Sequence, residues 1–167
     1  MAHKKQYDYI IIGNGLAGFQ LALALSQDVF FNDKQIALID KSHKTKNDKT
    51  ISFWEKGNGK WDSIVIKSWS KALIFSNKKE LTLNLPPYNY KTIHALDFYN
   101  KAKQELSKKT NFHFIIDQVI SVENSKQPKA TTVNSSYEAK HIFDSRIPED
   151  YFSELNKYTK VIQHFKG

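Results

Sequence analysis

Residues 13–18 read Gly13-Asn14-Gly15-Leu16-Ala17-Gly18, and what flanks this G-x-G-x-x-G spacing limits the fold more than any other part of the chain. Before it runs Tyr7-Asp8-Tyr9-Ile10-Ile11-Ile12, a β-branched stretch that stops at glycine and reads as a strand buried on both faces. After it, Leu16, Phe19, Leu23 and Ser26 recur at helical intervals, with Ala22 and Ala24 as good helix formers. Gln35 to Asp40 is a second apolar strand that ends in an acid. Strand, tight turn, helix and strand make a βαβ unit over residues 7–40, so the two strands should run parallel with a right-handed crossover.

The spacing alone arises by chance. Here it leaves a buried strand, opens a helix and is followed about 20 residues later by an acid at a strand end, which is the context of a dinucleotide fingerprint. Gly13 permits the tight turn, Gly15 lets the backbone approach a pyrophosphate, and Gly18 lets the helix pack closely on the strand. The helix N-terminus offers unpaired N–H groups to phosphate, and Asp40 can accept from adenosine ribose hydroxyls. An acid at that position disfavours a 2′-phosphate, which argues against NADP. The competing reading is a structural glycine turn beside an exposed acid.

Beyond Asp40 the chain changes character. A polar loop, KSHKTKNDK, leads into short strand-like runs at 50–54, 63–69, 72–76 and 80–85, with turns at Gly57-Asn58-Gly59, Asn77-Lys78 and Pro86-Pro87. They read as an antiparallel β-meander inserted over about residues 50–95. Ala95 to Lys108 then reads as a helix, with a stripe of Leu96, Tyr99, Ala102, Lys103 and Leu106 and Asp97 in its first turn. Further strands are expected at 112–116, 118–123, 129–133 and 137–144, returning the chain to the α/β frame over about 96–146. The meander lengthens the crossover beyond a compact NAD-binding unit, an arrangement similar to glutathione-reductase-type flavoproteins. The expected fold is therefore a single Rossmann-like α/β domain for FAD or NAD(P), spanning residues 1–167.

Composition excludes more than it selects. The chain has no cysteine, so disulfides, thiolate metal sites and thiol catalysis are out. No run of about 18 apolar residues exists to span a bilayer as a helix. The basic start MAHKK resembles a secretory leader, but the apolar run after it is short and breaks into glycines. The net charge of +8 comes from lysine, with Arg146 the single arginine. That balance speaks against nucleic acid, where arginine dominates, and leaves peripheral contact with an anionic bilayer open. No histidine pair has metal-ligand spacing, and no serine sits in a G-x-S-x-G elbow.

From residue 47 the chain resembles a known family. Asn47-Asp48-Lys49-Thr50-Ile51-Ser52-Phe53-Trp54-Glu55 is similar to the N-D-R-T-W-C-F-W-E stretch of bacterial flavoprotein-type lycopene β-cyclases, with Lys49, Ile51 and Ser52 standing where that stretch has Arg, Trp and Cys. Ile93 to Tyr99 resembles their segment ending in D-F-Y. Asp144-Ser145-Arg146 resembles their D-S-R-P stretch, with Ile147 before Pro148, and Gln163-His164-Phe165-Lys166-Gly167 resembles their Q-H-F-x-G. The resemblance implies reduced FAD, NAD(P)H as the electron source, and a non-redox cyclisation of lycopene ψ-ends to β-ionone rings. A carboxylic acid would protonate the terminal double bond, the carbocation would close the ring and a proton would leave. The family's acidic motif and a late flavin motif lie beyond this last matching segment, so the resemblance places the catalytic acid beyond Gly167. It therefore implies an N-terminal portion, with residues 147–167 starting a further part, inactive by itself and without a catalytic residue of its own. It also implies a cytoplasmic protein at the inner face of the membrane.

The candidate cofactor residues are Gly13, Asn14, Gly15, Leu16, Ala17, Gly18, Asp40, Lys41, Lys49, Val119, Asp144, Ser145 and Arg146. Asp48 beside Lys49 reads either as orienting a cofactor contact or as a loop ion pair. Asp144, Ser145 and Arg146 read either as a cofactor contact or as a turn with an ion pair. Val119 is expected to offer backbone groups to adenine while its side chain packs. Trp61 and Trp69 read as core rather than substrate lining. Tyr88 and Tyr90 read as partly buried surface tyrosines or as the wall of an isoprenoid groove. Phe53 and Trp54 must point to opposite faces of any strand, so one packs and the other is free. Two other functions stay open: an FAD- or NAD-dependent oxidoreductase of the same fold, and a degenerate binding piece without cofactor.

Overall fold

The computed structural model describes residues 5–77, 79–147 and Tyr151. Pro148 and the 163–167 match lie outside the described residues, and so does Gly167, the point beyond which the family's acidic motif is expected. The strand β1 (Lys5–Ile12), helix α1 (Leu16–Gln27) and strand β2 (Ile36–Asp40) form the βαβ unit, with β1 and β2 parallel. β2 pairs in parallel with β8 (Phe112–Ile116), and β1 pairs in parallel with β11 (Ser136–Asp144). Two antiparallel strands, β9 (Val119–Glu123) and β10 (Lys129–Thr132), complete a six-stranded sheet of order β8-β2-β1-β11-β10-β9.

Alternation along β1 and β2 divides the core in two. Ile11, Ile36 and Leu38 face α1 and the helix α2 (Ala95–Leu106), meeting Phe19, Leu23, Phe98 and Tyr99. Ile10, Ile12, Ala37 and Ile39 face the other way and pack with Val119, Ala130 and Tyr137. Both faces of the parallel sheet are thus covered, which is why the two strands read as unbroken apolar runs. On α2 the buried positions include Phe98, while Leu96 stays half-buried.

The insertion between β2 and α2 is antiparallel, but its strands are not in sequential order. β3 (Thr50–Lys56) and β4 (Val65–Trp69) both pair with β7 (Tyr88–His94), which lies between them. Among the described residues, β5 (Lys71–Ser76) and β6 (Lys79–Asn84) pair only with each other. β7 is the strand that sequence reading overlooks, because a lysine interrupts its apolar face. Lys91 is 4% exposed. Its ammonium meets Glu55 at 2.8 Å, Asp62 at 2.6 Å and the Gly57 carbonyl at 2.8 Å, so the charge is paired and its donors are used. The carboxylate of Asp62 is correspondingly held below its usual range by that hydrogen bond from Lys91.

Phe53 and Trp54 separate as strand alternation requires. Phe53 packs on the helix-side core and Trp54 is 58% exposed. Trp61 is buried against Phe98, their rings 4.9 Å apart. Trp69 departs from the expected core position: it lies in the same cross-strand row as Tyr90 and Trp54, on an uncovered face of the sheet. Among the described residues no helix is long and apolar enough to cross a membrane.

Candidate dinucleotide cavity

A cavity of about 720 Å³ opens at the C-terminal ends of β1 and β2, where open parallel sheets bind their ligands. Its walls include Gly13, Asp40, Lys41, Lys44, Asp117, Val119, Asp144 and Arg146. Of the turn from β1 into α1, Gly13 lines the cavity, whereas Asn14, Gly15, Leu16, Ala17 and Gly18 follow at the helix N-terminus outside its lining. Gly13 has φ +94°, a conformation that favours glycine, and a Cβ there would overlap the Ser145 hydroxyl. A Cβ on Gly18 would overlap the carbonyl oxygen of Gly13, so seating α1 close to β1 requires glycine there. Gly15 differs: among the described residues no atom lies within 4 Å of where its Cβ would stand. Gly15 is also the N-cap of α1, with no side-chain cap and no acid in the first turn, while Leu16 and Ala17 are exposed. The first-turn N–H groups are therefore left for an anion.

Asp40 and the end of β11 fix this turn in place. One Asp40 oxygen accepts from the Asn14 N–H at 2.7 Å and the other from the Ser42 N–H at 2.8 Å. Gly13 donates to the Ile39 carbonyl at 2.8 Å. The Ser145 hydroxyl donates to the Ile12 carbonyl at 2.7 Å, so Ser145 braces the turn from the β11 side. Asn14 is 2% exposed, and its Oδ1 has no hydrogen-bond partner among the described residues. A buried acceptor of this kind asks for a donor.

Asp144 and Arg146 are both a structural pair and part of the wall. Arg146 donates to Asp144 at 2.7 and 2.9 Å and, through Nη1, to the Val119 carbonyl at 2.7 Å, joining β11 to β9. Burial pushes the Asp144 carboxyl up, but its hydrogen bonds from Arg146 outweigh this and leave it below the usual range. The Val119 side chain is in the core as expected, and its carbonyl is engaged by Arg146. Asp117 behaves similarly. Burial raises it, and donors from Thr132, the Gln118 N–H and Asn134 lower it further than burial lifts it.

Two lysines exchange places relative to the sequence reading. Lys49 does not line the cavity: its side chain is 53% exposed and lies 3.7 Å from Asp48. Lys44 does line it, with φ +51° and its ammonium 3.3 Å from Asp40. The reason is how α2 holds the 41–49 loop. Lys103 donates to the carbonyls of His43 and Lys44, the Ala95 N–H to that of Lys49, and the Tyr99 hydroxyl to Asp48 at 3.0 Å. These ties turn the loop toward the cavity at Lys44 and away from it by Lys49. Nothing in a run of similar lysines reveals which one that will be. Asp48 thus has a third role, as acceptor for a buried tyrosine.

Burial, and then the bond to Asp48, push the Tyr99 hydroxyl up to about 12. A raised folded-state value favours the protonated form in the fold, so this contribution is complete below the ordinary value of 10 and is lost as pH rises through about 12. Tyr99→Phe should cost about 1 kcal/mol at neutral pH. The melting-temperature gap between the two proteins should close between pH 10 and 12; a gap that stays constant there would contradict the assignment.

The family model for lycopene cyclase protein matches residues 8–167. Among curated proteins none matches the chain. Solved structures share the fold at low identity. p-Nitrophenol 4-monooxygenase PnpA from Pseudomonas putida DLL-E4 is 12% identical with a TM-score of 0.65, covering 84% of this chain and 41% of its own. A geranylgeranyl bacteriochlorophyll reductase-like protein from Thermoplasma acidophilum is also 12% identical, with a TM-score of 0.63 and coverages of 84% and 39%. Halogenase PltM in complex with phloroglucinol and FAD is 13% identical, with a TM-score of 0.57 and coverages of 84% and 34%. The chain therefore spans about two fifths of the length of these structures or less. Its fold is the Rossmann-like α/β architecture of that group, with a parallel sheet and inserted antiparallel strands. By the family match, which runs over nearly all of its length, the chain belongs to the lycopene cyclase protein family.

Proposed function

We propose that these residues are the FAD-binding part of a lycopene β-cyclase. The observation that carries the reading is the cavity at the ends of β1 and β2, lined by Gly13 and Asp40 and followed in the chain by the open Gly15 at the α1 N-terminus, in a chain of this family. The residues fit an adenosine diphosphate moiety. The uncapped α1 N-terminus and the open face of Gly15 suit a pyrophosphate. The Asp40 oxygen that accepts from the Ser42 N–H keeps a lone pair for a ribose hydroxyl, while the other is shared by the Asn14 N–H and the Lys44 ammonium. Ile120 and Val122, alternate residues on the exposed face of β9, give an apolar wall for a ring.

FAD, brought to its reduced form by NAD(P)H, would serve a cyclisation with no net redox change, so ring closure would not itself consume the reductant. This chain's contribution is to bind and orient. The turn holds phosphate, Asp40 holds ribose, and Arg146 locks β9 to β11 so that the ring wall keeps its place. Proton donation to lycopene is assigned to none of these residues, because the cavity carboxylates are engaged: Asp40 and Asp117 by backbone and side-chain donors, and Asp144 by Arg146. The 167 residues by themselves, which span about two fifths of the length of the similar solved structures or less, should bind flavin without forming rings.

The test is a lycopene-accumulating host carrying the gene that encodes these residues. β-Ring carotenoids are the expected product, and none should form with the 167 residues alone. Oxidised or reduced acyclic products in place of rings would favour an oxidoreductase of the same fold. A chain that retains no flavin would favour a binding piece without cofactor.

A further inference from the structure

The hairpin of β5 and β6 carries large apolar side chains that nothing in the described fold covers. Phe75 is 68% exposed, Leu73 56%, Leu81 54% and Ile74 49%. An isolated two-stranded hairpin is marginal in water, and an apolar one attracts whatever can cover it. Cross-strand pairing sorts its side chains into two faces. Ala72 opposite Leu83 and Ile74 opposite Leu81 make one face apolar up to the tip. The other face mixes Leu73 and Phe75 with Thr82 and Glu80.

Charge identifies the covering material. Lys71 stands at the root of the hairpin and Lys79 at its tip, both exposed, with Lys67 in the preceding strand. Glu80 is the single acid in either strand. At the root, chain continuity leads directly from Trp69 into β5 and from β6 toward Tyr88 and Tyr90 in β7. Trp54, Tyr90 and Trp69 lie side by side across the neighbouring sheet, with ring separations of 4.8 and 5.9 Å. Apolar side chains bracketed by lysines, with tryptophan and tyrosine beside them, match the chemistry of the headgroup layer of an anionic bilayer. A second copy of the chain would bring the same lysines against one another. With six residues per strand and charge at both ends, the hairpin suits lying in the interface, where water still reaches its unpaired strand edges, better than piercing the hydrocarbon.

We propose that the β5–β6 hairpin is the membrane-contacting element of this protein and that it docks on anionic lipid. The inference does not rest on the cyclase reading, since the binding can be measured without flavin or carotenoid. The experiment is flotation of the whole chain with vesicles of phosphatidylcholine alone, and with vesicles in which a third of the lipid is phosphatidylglycerol. Wild type should bind the anionic vesicles, and raised salt should weaken that binding. The double variant Ile74→Ser, Phe75→Ser should bind on the order of a hundredfold less while melting at the wild-type temperature. Lys71→Glu with Lys79→Glu should remove the preference for phosphatidylglycerol. The proposal is overturned if wild type does not float with either vesicle, if the apolar variant floats equally well, or if that variant only converts a dimer to a monomer.

Discussion

Alanine at Gly15 should leave the protein folded and strip it of flavin, while alanine at Gly18 should cost both fold and flavin. The two glycines belong to one motif yet face different constraints. Gly15 has φ −82°, open to alanine, and its Cβ would meet no atom of the described residues. As an N-cap change, Gly15→Ala should cost under about 1 kcal/mol. What the methyl group would fill is the space through which a pyrophosphate reaches the α1 N-terminus. Flavin affinity should fall on the order of a hundredfold, the loss of a charge-assisted contact of about 3 kcal/mol. Gly18 faces the Gly13 carbonyl and the Ile11 side chain, and neither can yield without lifting α1 from β1. Gly18→Ala should cost about 3 kcal/mol and lower the melting temperature by roughly 10 °C. If the two variants lost stability equally, Gly15 would be a structural turn residue and the cavity argument would fail.

Removing the Asp40 carboxylate should also produce a large effect, for a different reason. Asp40→Ala leaves the buried Asn14 N–H and the Ser42 N–H without acceptors and deprives Lys44 of its partner. An orphaned buried donor costs about 1–3 kcal/mol, so a total loss of about 3 kcal/mol is expected. Flavin affinity should fall at least about tenfold as the ribose contact goes. Asp40→Asn keeps one oxygen acceptor but not the charge, and should lie between wild type and alanine in both measurements. Denaturant titration and flavin fluorescence together read the series. An Asp40→Ala protein as stable as wild type would show that the carboxylate does not hold the glycine turn.

What could be read from the sequence, and what could not, follows from how local each cause is. The βαβ unit was legible because glycine spacing, apolar runs and a terminal acid are all local features. The separation of Phe53 from Trp54 was legible because strand geometry forces it. β7 was hidden by Lys91, whose burial depends on Glu55 and Asp62 arriving from other parts of the chain. Trp69 looked like core because aromatics usually are, and only the strand order places it on an open face. Lys44 and Lys49 could not be told apart, since the bonds from Tyr99, Lys103 and Ala95 that turn their loop are long-range. Asp117 was overlooked as a wall residue because the donors that engage it come largely from the β10–β11 turn.

The central claim is that the cavity at the ends of β1 and β2 takes the adenosine diphosphate half of FAD. Titration of FAD into the purified chain, with ADP as competitor, tests it most directly. The account predicts saturable binding of one FAD per chain, displaced by ADP and lost in Gly15→Ala at an unchanged melting temperature. FAD binding that ADP does not displace, or that Gly15→Ala retains, would contradict it.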